Sequence, residues 1–586
     1  MGSDPTGSGR IIQPPAAGAA VADRLRLWSV VIVVAATLAG AVLRGHTLGA
    51  NSFDPAEVTE VNAADAIRFR REPVGDPIPG VAAWVAAGTL HWGYGEATLR
   101  RPIAFAGTLT ILVVWALGLL ACGSEAATYA AVALALAPLH VGISRRVGPD
   151  VWLTLCATLT VVTCLWAARA PQAWRRQALC GVLAMLTCAC AYRGVLVIAA
   201  IAVAAVVLAI RDPLMRHWAT RCILLMFLAA AVAGMAAAYA QPRWYAGILR
   251  PPIDGRFPFD LLSQLATHQP QQWSAGIALA VCATVGLASI GRSRAGTFLG
   301  SWLLVGGTGL LGTDWLRHAA FQPEAISFVL PAYVLLGAAG LTWLRRTVCV
   351  GNRAVTAIGQ VAACTLLLAL GLPGLRELPR QPSWRDAAHV VAANLRPDDV
   401  LVVLAEQPSF TFYAPDLVRR MEPDVRPAWA SGYFARRKRG WLVVPAQVRN
   451  RPGWAVMQRW LDRFPPVDLS PDDRTVVLYM GQGGHDDLVV ESAYFPLPTA
   501  TLVHGRVLLD WLLQVGPVPA VLWKVDQIAL SREAVDVRNP ALLQAVYYLA
   551  QHDHGDRAAS LAYRLATAEP HWEEAQRALE AFRRTD

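Results

Sequence analysis

Through its first 372 residues the chain alternates long apolar runs with short polar connections. Runs long enough to cross about 30 Å of hydrocarbon as helix lie near 27–43, 104–122, 126–142, 151–168, 177–191, 194–210, 222–240, 273–290, 296–312, 326–344 and 354–372. This predicts about eleven membrane-spanning helices, with the two around Tyr192 forming a tight pair. Beyond Leu372 the pattern changes. Strand-length runs rich in β-branched residues, DDVLVVLA (398–405), GWLVVPA (440–446) and RTVVLYM (474–480), alternate with helical patterns such as SWRDAAHVVAANL (383–395) and GWAVMQRWLDRF (453–464). That alternation predicts a small soluble α/β domain. From Asn539 to Arg584, Ala and Leu recur at helical spacing, as in one helical-hairpin repeat, a unit that elsewhere binds protein partners.

Composition agrees with the pattern. Of 586 residues 55% are apolar and only 16% charged, which marks a polytopic membrane protein. The net charge of +10 is carried by arginine, since Lys438 and Lys524 are the only lysines. If the N-terminus is cytoplasmic, the inner connections hold Arg169, Arg175, Arg176, Arg211, Arg216, Arg221, Arg292, Arg294, Arg345, Arg346 and Arg353. Set against Asp212, that is the positive-inside signature, so membrane topology accounts for the basicity and no nucleic-acid partner is implied. The apolar run after Arg24 and Arg26 reads as an uncleaved anchor behind a Gly/Pro/Ala-rich disordered tail. All ten cysteines, Cys122 to Cys364, fall in or beside spans, and none has zinc-site spacing. The predicted division is a cytoplasmic tail 1–26, a transmembrane domain 27–372 with a large outer loop 44–103, an extracytoplasmic α/β domain 373–536 and a helical-hairpin C-terminus 537–586.

The first outer loop opens with NSFDPAEVTEV (51–61). Asp54, Pro55 and Glu57 form a helix-start pattern, with Asp54 as N-cap and Glu57 closing a capping box. The helix predicted over 55–71 is amphipathic: Val58, Val61, Ala64 and Ile67 are its apolar stripe, and Glu60, Asp65, Arg68 and Arg71 are its polar face. Further charges stand at outer helix ends: Glu96, Arg100 and Arg101 in YGEATLRRPIAFAGTLTILVVWALG (94–118), Arg145, Arg146 and Asp150 in GISRRVGPDVWLTL (142–155), and Arg193 in CAYRGVLV.

These segments, in this order, resemble the GT-C superfamily of membrane glycosyltransferases, of the protein mannosyltransferase and lipid A aminoarabinose transferase type. The resemblance covers an early acidic pair, here near Asp54 and Glu57, with Ala56 where an aspartate is usual. It covers a G-x-E-x-x-x-R-x-P stretch leading into the second span, a serine-arginine and an aspartate after the third span, and a Lys-Gly, here Arg193-Gly194. It ends at AISFVLPAYVLLGAAGL (325–341), where Ser327 and Phe328 replace the usual arginine and tyrosine.

The resemblance implies a multi-pass enzyme of the bacterial inner (plasma) membrane that moves a sugar from a polyprenyl-phosphate donor to a hydroxyl of a lipid, glycan or protein acceptor, with inversion, on the outer face. A carboxylate takes the acceptor's proton, and cations neutralise the departing phosphate. Asp54, Glu57 and Asp150 are the catalytic candidates, and Arg100, Arg145 and Arg193 the phosphate holders. Arg243, Trp244, Tyr245 and Arg250 in QPRWYAGILRPP are candidates for covering the substrate. The resemblance fixes no cofactor, and a divalent metal ion is the one candidate. Two other readings stay open. A GT-C-like scaffold without activity fits Ala56, Ser327 and Phe328, whereas a transporter would call for midplane charges and a repeat between halves, neither of which the sequence displays.

Overall fold

The computed structural model describes residues 17–69, 80–191, 193–240, 273–316 and 323–348, together with most of 382–421, 440–480 and 535–583. The chain divides into two compact units, 1–380 and 381–586.

The first unit is a bundle of apolar helices: α1 (Ala17–Gly45), α2 (Pro55–Phe69), α3 (Val81–Thr89), α4 (Glu96–Ala121), α5 (Ser124–Leu136), α6 (Pro138–Ile143), α7 (Asp150–Arg169), α8 (Trp174–Cys190), α9 (Gly194–Arg211), α10 (Arg216–Ala240), α11 (Trp273–Ile290), α12 (Arg294–Leu316) and α13 (Leu330–Val348). Among the described residues seven helical stretches are long and apolar enough to cross a membrane. Outward faces carry large apolar side chains such as Phe105, Ile210 and Phe227, as contact with lipid requires. Ten of the eleven predicted spans fall on helices, while the one near 354–372 lies outside the described residues.

The predicted span 126–142 is two helices rather than one. Pro138 has no N–H to donate and drives Ala137 into extended backbone (φ −62°, ψ 114°), so α5 stops there and α6 starts on the proline. The break strands carbonyls at the end of α5. Arg44, fully buried at the end of α1, takes them up: Nη1 donates to Ala135 O at 3.1 Å and Nη2 to Leu134 O at 3.2 Å. Nη2 also bonds His140 Nδ1 at 2.7 Å. Gly107 on α4 makes room for this junction, because a Cβ there would stand 2.6 Å from the Ser144 Cβ. In this way α1, α4, α5 and α6 fix the connection 144–149 that enters α7.

The second unit is a three-layer α/β domain. Its sheet runs β1 (Val400–Val403), β2 (Gly440–Pro445), β4 (Thr475–Met480), β3 (Val467–Asp468), parallel between β1 and β2 and antiparallel elsewhere. Alternate side chains face opposite sides of a strand. Val402, Leu442 and Leu478 therefore pack on Trp454, Met457 and Leu461 of one helix, and Leu401, Val443 and Val477 on Trp384, Ala388 and Val391 of another. Burial on both faces explains why these strands read as unbroken apolar runs. The C-terminus exceeds the predicted hairpin: Val535–Gln551 and Gly555–Ala568 are followed by a third helix, Glu573–Arg583.

Candidate active site

At one end of the bundle, α2 begins where the capping pattern places it. The Glu57 N–H donates to Asp54 Oδ1 at 2.8 Å, and the Asp54 N–H returns a bond to Glu57 Oε2 at 3.1 Å. Val58, Val61 and Ala64 are buried along the helix, and Ile67 is half-buried.

Glu57 is 1% exposed and reaches across to α4. Arg100 donates Nε to its Oε1 at 2.8 Å and Nη2 to its Oε2 at 2.6 Å, and the Val147 N–H adds a third bond at 2.8 Å. The other N–H groups of Arg100 go to the carbonyls of Leu48, Asn51 and Ser52 at 2.7–3.0 Å. All five donors of its guanidinium are thereby engaged, and the Phe53 ring lies 5.1 Å away. Burial pushes the Glu57 carboxyl upward in pKa, against the pull of Arg100 and the Val147 N–H.

The remaining groups are less enclosed. Arg146 Nε stands 3.8 Å from Asp54 Oδ2, and its Nη1 is 3.1 Å from Glu324 Oε1, brought in by the 3₁₀ segment Pro323–Val329. Arg193 Nη1, ahead of α9, lies 3.2 Å from Asp150 Oδ1 at the start of α7. Gly194 lets the start of α9 lie against the end of α8: a Cβ there would lie 2.4 Å from Thr187 O. Among the described residues Arg145 donates to neutral acceptors only, Leu43 O at 3.3 Å and Thr47 Oγ1 at 3.2 Å. Burial lowers its pKa, and the nearby Arg100 charge lowers it further.

Of the six candidates, Asp54, Glu57 and Arg100 are joined by hydrogen bonds and Asp150 is paired with Arg193, while Arg145 bonds to Leu43 and Thr47 and, among the described residues, to none of the other five. Three charged neighbours were not among the candidate site residues. Arg146 adjoins Arg145 in the quoted motif, and Glu324 directly precedes the 325–341 segment. Glu60 stands on α2 among residues assigned to its polar face, yet it is half-buried. Its carboxyl is pushed up to about 7 by burial, with the Asp150 charge adding to the effect. Among the described residues no three His, Cys, Asp or Glu side chains are grouped to hold a metal ion. Arg243, Trp244, Tyr245 and Arg250 lie outside the described residues.

The family model for dolichyl-phosphate-mannose-protein mannosyltransferases matches residues 77–239. The match takes in Arg100, Arg145, Asp150 and Arg193 and begins after Asp54 and Glu57. No curated protein matches the sequence. Among solved structures, ArnT from Cupriavidus metallidurans in the apo state is 16% identical, over 77% of this chain and 97% of its own, with a TM-score of 0.51. ArnT bound to undecaprenyl phosphate gives 15%, 77%, 98% and 0.49. The Archaeoglobus fulgidus oligosaccharyltransferase tethered with an acceptor peptide gives 13%, 78%, 74% and 0.49. The chain has the GT-C-like fold that its sequence motifs imply, and it resembles the GT-C membrane glycosyltransferases.

Proposed function

We propose that the protein transfers a sugar from a polyprenyl-phosphate donor to an acceptor hydroxyl, on the membrane face where α4, α7 and α9 begin. The supporting observation is the convergence of acids and arginines from α2, α4, the 144–150 connection and α9, in which Arg145 is the arginine bonded to no carboxylate among the described residues. Burying such groups together is costly unless they pair with each other or with a substrate. The family match to lipid-phosphate-dependent mannosyltransferases points the same way.

In the reaction, the acceptor oxygen bonds to the anomeric carbon while the bond from that carbon to the phosphate oxygen breaks. The electron pair leaves with the lipid phosphate, and attack from the opposite side inverts the anomeric configuration. Arg145, with Arg193 beside Asp150, would neutralise the charge gathering on the phosphate, and a carboxylate takes the acceptor's proton. Arg100 gathers the first long loop, and Glu57 holds the 144–149 connection that carries Arg145. A phosphate is a good leaving group, so no general acid is needed.

The test incubates the purified full-length protein in lipid vesicles with radiolabelled polyprenyl-phosphate sugars and a membrane extract as acceptor. Label moving off the lipid above a boiled control supports the transferase. Label staying on every donor favours the scaffold reading, to which Ala56, Ser327 and Phe328 belong.

A further inference from the structure

The partners of the acids in this site are unevenly distributed. Asp54 lies beside Arg146, Glu57 is held by Arg100, Asp150 by Arg193 and Glu324 by Arg146. Glu60, one helical turn beyond Glu57, has no hydrogen bond or ion pair among the described residues. An arginine beside a carboxylate occupies its lone pairs and would have to be displaced before an acceptor hydroxyl could reach them, so a paired carboxylate is poorly placed to take a proton. Resting on the transferase reading above, we propose that Glu60 is the catalytic base that accepts the proton of the acceptor hydroxyl, while Glu57 anchors the helix that carries it.

Three features support this division. Residues three apart on a helix lie on neighbouring faces, so α2 can turn Glu57 into the protein and leave Glu60 at the edge of the same face. Glu60 is half-buried and within electrostatic reach of Asp150, which is paired with the candidate phosphate ligand Arg193. Glu60 and Arg193 thus both act on Asp150, the one by its charge and the other by a direct ion pair. Finally, the groups around Glu60 favour its protonation: α3, packed along α2, carries no titratable side chain, and Asp150 on α7 adds negative charge. A base with a pKa about 7 combines availability with proton affinity near neutral pH.

The experiment compares wild type, Glu60→Gln and Glu60→Asp as full-length protein in lipid vesicles. It follows release of polyprenyl phosphate from a panel of polyprenyl-phosphate-linked hexoses and pentoses with a short-chain alcohol acceptor, between pH 5.5 and 8.5. Binding of polyprenyl monophosphate is measured in parallel. The expected result is a wild-type rate that rises with pH through about 7. Glu60→Gln is expected to lower the rate roughly 10²- to 10⁴-fold, to abolish the pH step and to leave polyprenyl monophosphate binding unchanged; Glu60→Asp recovers part of the rate. Retention of the rate and the pH step in Glu60→Gln overturns the role of Glu60 and leaves the transferase reading standing. Absence of release by the wild type from every donor overturns both.

Discussion

Glu57 and Arg100, 43 residues apart in sequence, meet at 2.6 Å with both side chains shut away from solvent. The contact closes the first long loop onto α4, since Arg100 also gathers the carbonyls of Leu48, Asn51 and Ser52. Removing one partner leaves the other as a buried, uncompensated charge. Glu57→Ala and Arg100→Ala are each expected to cost about 3–5 kcal/mol, read as a lower thermal midpoint and poorer monodispersity in detergent. The double replacement should cost less than the two single losses added together.

The cap at the start of α2 is separable from that ion pair. Asp54→Ala removes the acceptor for the Glu57 N–H and is expected to cost about 1 kcal/mol, whereas Asp54→Asn keeps a good cap and should cost less. Thermal unfolding of the two variants side by side checks this.

Much of this arrangement is legible in the sequence, and the reasons are physical. Helices in the first unit announce themselves through long apolar runs, and strands in the second through short β-branched ones, because burial demands both. Asp54-Pro55-x-Glu57 specifies its own helix start locally. Partner choice is another matter. Nothing near Glu57 indicates that it takes Arg100 while Glu60 takes no arginine among the described residues, for that depends on which side of α2 meets α4. Likewise the α5–α6 break follows from Pro138, but its repair by Arg44 depends on a helix some 90 residues away.

Glu60 should also reveal itself in stability. Its pKa is raised from 4.5 to about 7 in the folded protein, so burial of the charge carries no penalty below pH 4.5, and stability is lost as pH rises through about 7. Glu60→Gln removes the penalty. It is expected to be more stable than wild type at pH 8, by on the order of 1–3 kcal/mol, with the gap closing toward pH 4.5. Thermal unfolding across that range measures the difference.

Gly194 is expected to tolerate no side chain, because a Cβ would press to 2.4 Å of the Thr187 carbonyl. Gly194→Ala should separate the ends of α8 and α9 at a cost of about 1–3 kcal/mol. It should also move Arg193 off Asp150, weakening polyprenyl monophosphate binding measured in the same preparation.

The claim that this site holds a lipid phosphate is tested most directly by binding of polyprenyl monophosphate, with the uncharged polyprenol as control, to wild type, Arg145→Ala and Arg193→Ala. Loss of a charge-assisted contact is worth about 1.5–3 kcal/mol, or roughly 10- to 100-fold in affinity. The expected result is tighter binding of the phosphate than of the alcohol by wild type, with a loss of that size in each variant and unchanged binding of the alcohol. Equal affinity for phosphate and alcohol, unaltered by either replacement, would contradict it.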